Sequence, residues 1–462
     1  MKARISEHTA TIVVAALGTL FASTLILLTG IMTAALSDGM QAESGTFRLM
    51  LLMVSIIFIV IALYVGAIVT ANTFATVIAG RTREIALLRL LGSTSARVRN
   101  QVALEGLAMG AIGAVIGVVL AIGLAAGLVA VGTSAGWLDA GLTYPLFDPL
   151  IVAAALIVIA TTWLAAWAGS KRVAGVSPIE ATRAAVELRP EQARGRSGRT
   201  VVAITLIIIG AAALALGVAL SFATPLALMV SFVGGLISFT GIAVGAHFIM
   251  PPILRLAGRV TGRGVTGQIA AANAVRFPER SARSTIGLVI GITLVVMFAV
   301  ALATYTAGVK EMFAQDPVSE AVLEQTLTVT SAVLTLLVGF SGVIAAVGLV
   351  NTLSLSVVQR IRELGLLRAI GFTGTQVRSM IMAESAQMTL AAFCTGVVLG
   401  VFYGWVAAQS MVGSQVGLVL PVVPWILIVG VAVFGIGLAC IAAAGPARRA
   451  TKVSPVLALA VD

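Results

Sequence analysis

Twice in this chain a glutamate is set among arginines and leucines in the order Arg-Glu-apolar-x-Leu-Leu-Arg-x-apolar-Gly. The first copy is Arg83-Glu84-Ile85-Ala86-Leu87-Leu88-Arg89-Leu90-Leu91-Gly92, with Arg81 just ahead of it. The second is Arg362-Glu363-Leu364-Gly365-Leu366-Leu367-Arg368-Ala369-Ile370-Gly371, preceded by Arg360. Guanidinium and carboxylate groups in this pattern suit recognition, through charge-assisted hydrogen bonds framed by apolar contact. Arg81, Arg83, Glu84, Leu88, Arg89 and Gly92, with Arg360, Arg362, Glu363, Leu367, Arg368 and Gly371, are therefore the candidate contact residues. Helix formers fill 83–91, and Gly92 can supply the left-handed residue that ends a helix. A short helix both apolar and basic has two readings. One is a membrane-surface anchor held by anionic lipid. The other is a docking helix for a soluble partner, and its recurrence favours docking.

Other chemistry is scarce. There is no GxxxxGK[ST] phosphate loop, and no CxxC or HExxH. The two histidines, His8 and His247, are far apart in sequence, which argues against a dedicated metal site. Cys394 and Cys440 lie inside apolar runs and read as small core residues. No catalytic residue is visible, so the chain reads as a non-enzyme.

The elements that must position these residues are apolar. Of 462 residues, 59% are hydrophobic and 10% charged, against about 45–50% and about 25% in a soluble domain. The mean hydropathy is +1.10. That excludes an ordinary soluble enzyme, a disordered chain and a disulfide scaffold, and points to a bilayer, where a helical span takes about 20 apolar residues. Apolar runs fall near 10–36, 48–79, 102–132, 149–169, 200–222, 225–250, 284–308, 327–358, 384–410 and 424–445. They predict an all-α polytopic protein of ten transmembrane helices. The first run follows Lys2 and Arg4, is longer than a signal h-region and reads as a transmembrane helix.

The net charge of +11 would raise nucleic acid as a partner in a soluble chain. Here the cations cluster between apolar runs, as orientation signals do, and no nucleic-acid partner is expected. With both termini cytoplasmic, the inner segments hold 27 of the 29 cations, leaving only Arg48 and Lys310 outside. Arginine outnumbers lysine 25 to 4; with the Ala, Gly and Val richness this points to a GC-rich bacterial genome and a bacterial plasma (inner) membrane.

The repeat offset of 279 also aligns Asn72 with Asn351 and Glu105 with Glu384. A drift of two or three residues then pairs Gly141, Leu142 and Pro145 with Gly417, Leu418 and Pro421, and Val176-Ser177-Pro178 with Val453-Ser454-Pro455. Helices 1–4 and 7–10 are thus two parallel copies of a four-helix unit. Helices 5 and 6 form a hairpin between them, behind the Arg-rich linker 187–199.

On these residues the sequence resembles the FtsX/MacB-like permeases of ABC transporters. Supporting features are Glu105 and Glu384 opening the next helices, the glycine-rich helices after them, and the closing Ala444-Gly445-Pro446-Ala447-Arg448-Arg449. The resemblance implies a first FtsX-like unit at 1–186, a linker, hairpin and connector at 187–283, and a second unit at 284–462. It implies that the short helices couple to a separate cytoplasmic ATPase. Two docking helices per chain imply two copies of it. No cofactor is implied on this chain; ATP and Mg would be bound by the partner. The ten-span layout with a central hairpin resembles the bacitracin-type permeases. The external segments 37–47 and 309–326, however, are too short to fold as the large outer domain of that group.

Ser55, Tyr64, Asn72, Asn351 and Ser354 are the polar candidates within the spans and read as interhelical hydrogen-bonding groups. Mid-membrane charges of the kind an ion-coupled carrier uses are not evident. Three readings follow. The first is a permease subunit exporting or extracting a hydrophobic or amphiphilic substrate from membrane lipid. The second is a regulatory subunit passing ATPase motion to an external partner. The third, least favoured, is an ion-coupled carrier.

Overall fold

A computed structural model describes residues 2–36, 90–135, 138–174, 197–224, 226–261, 267–272, 278–313 and 366–437, with isolated positions at 56–57, 59–61, 63–64, 66–68, 87 and 339. Every regular element among them is a helix. The long ones are α1 (Lys2–Leu36), α2 (Ser95–Ser134), α3 (Pro149–Ala174), α4 (Ser197–Leu220), α5 (Ala227–Thr261), α6 (Pro278–Phe313) and α7 (Gly374–Val416). The shorter α8 covers Trp425–Gly437. Among the described residues, seven helices are long and apolar enough to cross a membrane. The protein is therefore multi-pass. The apolar runs at 48–79 and 327–358 lie largely outside the described residues.

Two compact units divide the chain, Met1–Val186 and Glu187–Asp462. In the first, α1, α2 and α3 share a core of Ala22, Ile26, Leu27, Ile31, Ala121, Ala125, Ile151 and Ala154. Small residues bring the backbones together, as in membrane helix pairs. A Cβ at Gly113 would lie 2.6 Å from the Ala15 Cβ, and one at Gly117 would lie 2.7 Å from the Thr19 Cβ. Helices α1 and α2 thus run in the same direction.

The second unit pairs α6 with α7 by the same device. Gly396, Gly400 and Gly404 meet Ile292, Val296 and Val300 in turn, again in parallel. Gly117 and Gly396 occupy corresponding positions at the 279 offset. Thr19 and Thr293, their neighbours, are both buried. Helices α4 and α5 form an antiparallel hairpin that packs on α6 and α7 within this unit.

Several sequence expectations need correction. Helices α2 and α7 begin at Ser95 and Gly374, some turns before their apolar runs at 102 and 384. Glu105 and Glu384 therefore lie in the third turn and do not open their helices; neither first turn holds an acid. The reason is capping: Thr94 and Thr373 start each helix upstream of the hydrophobic stretch. Helix α5 runs on through Pro251 and Pro252 to Thr261, past the end of its apolar run at 250. Met250 and Leu254 are fully buried on either side of the prolines and hold that stretch in place. Cys394 is exposed, not a core residue, because it points off the outer face of α7. Cys440 lies outside the described residues.

Candidate functional site

The recurring motif ends in a helix–glycine–helix junction, and the chain's local chemistry explains its shape. At the second copy the Phe372 N–H donates to the Leu367 carbonyl at 3.0 Å and the Gly371 N–H to the Arg368 carbonyl at 3.1 Å. These are the two bonds of a Schellman motif, with glycine at its left-handed position. Gly371 has φ +109, and a side chain there would be strained. The apolar packing that accompanies the motif comes from Leu367 and Phe372. Both pack against Val377, Met380, Ile381 and Ala270, the last carried by the short helix 267–272.

Two residues later a new helix begins. The Thr373 hydroxyl accepts from the Gln376 N–H at 3.2 Å, and the Gln376 side chain accepts from the Thr373 N–H at 2.8 Å. This reciprocal capping box fixes both orphan donors.

The first junction has the same outline. The Leu91 N–H donates to the Leu87 carbonyl at 3.0 Å. Gly92 has φ +94, and the Thr94 hydroxyl accepts from the Arg97 N–H at 3.3 Å. Arg97, standing where Gln376 stands in the other copy, has no acceptor to return the bond. Each junction offers an apolar face to the surroundings: Leu87, Leu90 and Leu91, the last 84% exposed, and Leu366 and Ile370, the last 68% exposed.

Of the sequence candidates, the structure places Gly92, Leu367, Arg368 and Gly371. Gly92 and Gly371 form the two turns, while Leu367 turns inward to seal the second one and Arg368 lends its carbonyl to that turn. Arg81, Arg83, Glu84, Leu88, Arg89, Arg360, Arg362 and Glu363 lie outside the described residues. Of the polar span candidates only Tyr64 is described, half-buried; Ser55, Asn72, Asn351 and Ser354 are not. Phe372, Thr373 and Gln376 were missed as members of the junction. The Thr-x-x-Gln spacing directly after Gly371 carried the signal.

Sequence reasoning also missed a set of polar residues that join the hairpin to α7. Ser231 pairs with Ser410 at 2.6 Å and Ser238 with Tyr403 at 2.7 Å. Gln409 is fully buried. Its amide donates to the Gly417 carbonyl at 2.8 Å and to the Ser221 hydroxyl at 3.3 Å, and its oxygen accepts from the Val419 N–H at 2.8 Å. One apolar-run glutamine thus ties three segments together. Among the described residues no cluster of His, Cys, Asp or Glu could hold a metal ion.

Comparison with known proteins places both junctions in one recurring sequence pattern. The family described as FtsX-like permease, C-terminal, matches twice, over residues 56–178 and 335–455, together just over half of the chain. An uncharacterized ABC transporter permease of Methanocaldococcus jannaschii is 28% identical over 156 residues, covering 32% of this chain and 39% of the relative. From Bacillus subtilis, the uncharacterized ABC transporter permease YknZ is 29% identical over 121 residues, covering 26% of this chain and 29% of its own. The ABC transporter permease YtrF is 31% identical over 127 residues, covering 25% and 29%. The matched part spans less than two-fifths of each of these relatives' lengths.

Proposed function

We infer function from one premise: the chain belongs to the family of FtsX-like permeases. We propose that it is the transmembrane subunit of an ABC transporter that exports or extracts a hydrophobic or amphiphilic substrate. A separate cytoplasmic ATPase supplies the energy, binding ATP and Mg on its own chain. The observation that carries the reading is the doubled junction. In both copies a helix ends on a left-handed glycine with leucine or isoleucine exposed, and a capped membrane helix starts two residues later. A partner seated on that apolar end would push directly on the long helix.

The same reading gives the layout. The parallel sense of α1 with α2 and of α6 with α7 supports one intervening crossing in each unit, and so ten spans. It assigns 1–186 and 284–462 to four-helix units, with linker, hairpin and connector at 187–283, and both termini in the cytoplasm of a bacterial plasma membrane. Two junctions per chain then bind two ATPase copies, and the substrate comes from membrane lipid. The regulatory alternative, motion passed to an external partner without transport, is disfavoured by the short external segments.

Co-expression with the cognate ATPase tests this. Native mass spectrometry of the complex should give two ATPases to one permease chain; two permease chains to two ATPases would reject the layout. Glu84→Lys, Glu363→Lys and charge reversal at Arg89 or Arg368 should each weaken ATPase capture, since an unpaired interface charge costs about 2–5 kcal/mol. Normal capture with altered lipid dependence would instead show that the short helices are membrane anchors.

A further inference from the structure

Arg99 lies in the second turn of α2, beside the first junction. Its guanidinium carbon sits 4.8 Å from the centre of the Trp167 ring on α3. Its Nε is buried and has no hydrogen-bond partner. The side chain is half-buried, so its terminal nitrogens are what it can still offer. Trp167 is 36% exposed, with its ring forming the floor of the stack. Helix α3 continues through Lys171 and Arg172; Lys171 is one turn beyond Trp167. The apolar stretches of both helices end here, at about Val102 and Gly169.

A stacked arginine and a tryptophan at the end of two membrane helices have a chemical match. Tryptophan prefers the headgroup level. The ring contact holds the guanidinium in place and partly strips its water. A planar guanidinium is suited to two oxygens of one phosphate. Nearby lysine and arginine add attraction for an anionic leaflet. We propose that Arg99 and Trp167 form a binding site for the phosphate of an anionic phospholipid at the rim of the first unit. The site holds independently of the ATPase reading, because it needs only the membrane.

The second copy supplies an internal control. Arg378 corresponds to Arg99 at the 279 offset, but it is exposed, and Ala444 stands where Trp167 does once the drift is included. The second unit should therefore lack the site.

The experiment is native mass spectrometry of the full chain in detergent, titrated with phosphatidylglycerol and, separately, phosphatidylcholine. Wild type should hold one tight phosphatidylglycerol adduct and prefer it to phosphatidylcholine. Arg99→Gln and Trp167→Leu should each weaken that adduct about tenfold or more, as loss of a charge-assisted pair would. Arg378→Gln should leave it unchanged. Arg99→Lys, which keeps the charge and loses the planar stack, should fall between. Unfolding temperatures of the variants within a few degrees of wild type would show that the loss is local. The proposal is overturned if Arg99→Gln retains wild-type phosphatidylglycerol binding, or if Arg378→Gln weakens it equally. It is overturned too if soluble glycerophosphate or inorganic phosphate displaces the adduct at comparable concentration, since the site would then recognise a free anion.

Discussion

At the second junction Leu367 and Phe372 pack on one apolar cluster, and Thr373 and Gln376 cap each other. At the first, Ser93 stands in the place of Phe372, and Arg97 in that of Gln376. A left-handed glycine makes the turn in both, and among the described residues the apolar packing and the reciprocal cap stand at the second copy. The long helices behind the junctions differ in the same sense. Helix α7 carries Tyr403, Gln409 and Ser410, which bind the hairpin. At the corresponding places α2 carries Leu124, Ala130 and Val131, all exposed apolar residues. Repetition has kept the turn, which is set by glycine, and let the side-chain locks diverge. Among the described residues the second half is consequently the more heavily braced.

The largest test of that contrast is Gln409→Leu. It strands the buried Val419 N–H and the half-buried Gly417 carbonyl, and should cost about 3 kcal/mol by the penalty for unpaired buried groups. Thermal unfolding in detergent should show it as a clear fall in midpoint. Ala130→Leu, the same site in α2, should leave the midpoint unchanged. Equal losses would erase the distinction between braced and unbraced helix.

Next comes Phe372→Ala. A half-buried phenylalanine should be worth about 2 kcal/mol, below the value for a fully buried one. Ser93→Ala should be close to neutral. Amide exchange over 366–376 should speed up in the first variant, with exchange over 87–97 unaltered in the second. If Phe372→Ala leaves exchange at wild-type rates, the apolar lock is not a lock.

Gly92→Ala and Gly371→Ala sharpen the shared part. Both glycines have open space for a methyl group, so only the backbone penalty of about 1 kcal/mol remains. The two variants should lose the same stability; a strongly unequal pair would mean that the turns are not equivalent. Smallest of all, Arg97→Gln supplies the missing half of a capping box and should stabilise the start of α2 by about 0.5 kcal/mol. Gln376→Arg should take a similar amount from α7.

The sequence was most legible where a single residue type dictates the backbone. Gly92 and Gly371 ended their helices because no other residue tolerates that φ cheaply, and the pattern before them marked the family. Helix starts were less legible. Hydropathy locates where a helix enters hydrocarbon, whereas Thr94 and Thr373 decide where its hydrogen bonds begin. Glu105 and Glu384 were misplaced for that reason. The buried polar residues were least legible. A glutamine in an apolar run gives no sign of its partners: for Gln409 these are Gly417 and Val419, eight and ten residues on in the loop after α7, and Ser221, 188 residues back in the turn after α4. Glycine spacing was ambiguous in the same way: Gly117 and Gly396 meet a neighbouring helix, while Gly123 and Gly127 meet nothing within 4 Å.

Helix α7 has 43 residues, so it is about 64 Å long at roughly 1.5 Å per residue. That is about twice the thickness of bilayer hydrocarbon. Its near end is fixed to the second junction by Thr373, and Gly396, Gly400 and Gly404 clasp its middle to α6. Such a rod is a lever arm. A swing of about 10° at the junction would displace its far tip by roughly 11 Å over that length. The tip carries Gln409 and Gly417, so the hairpin and the loop before α8 would be dragged with it.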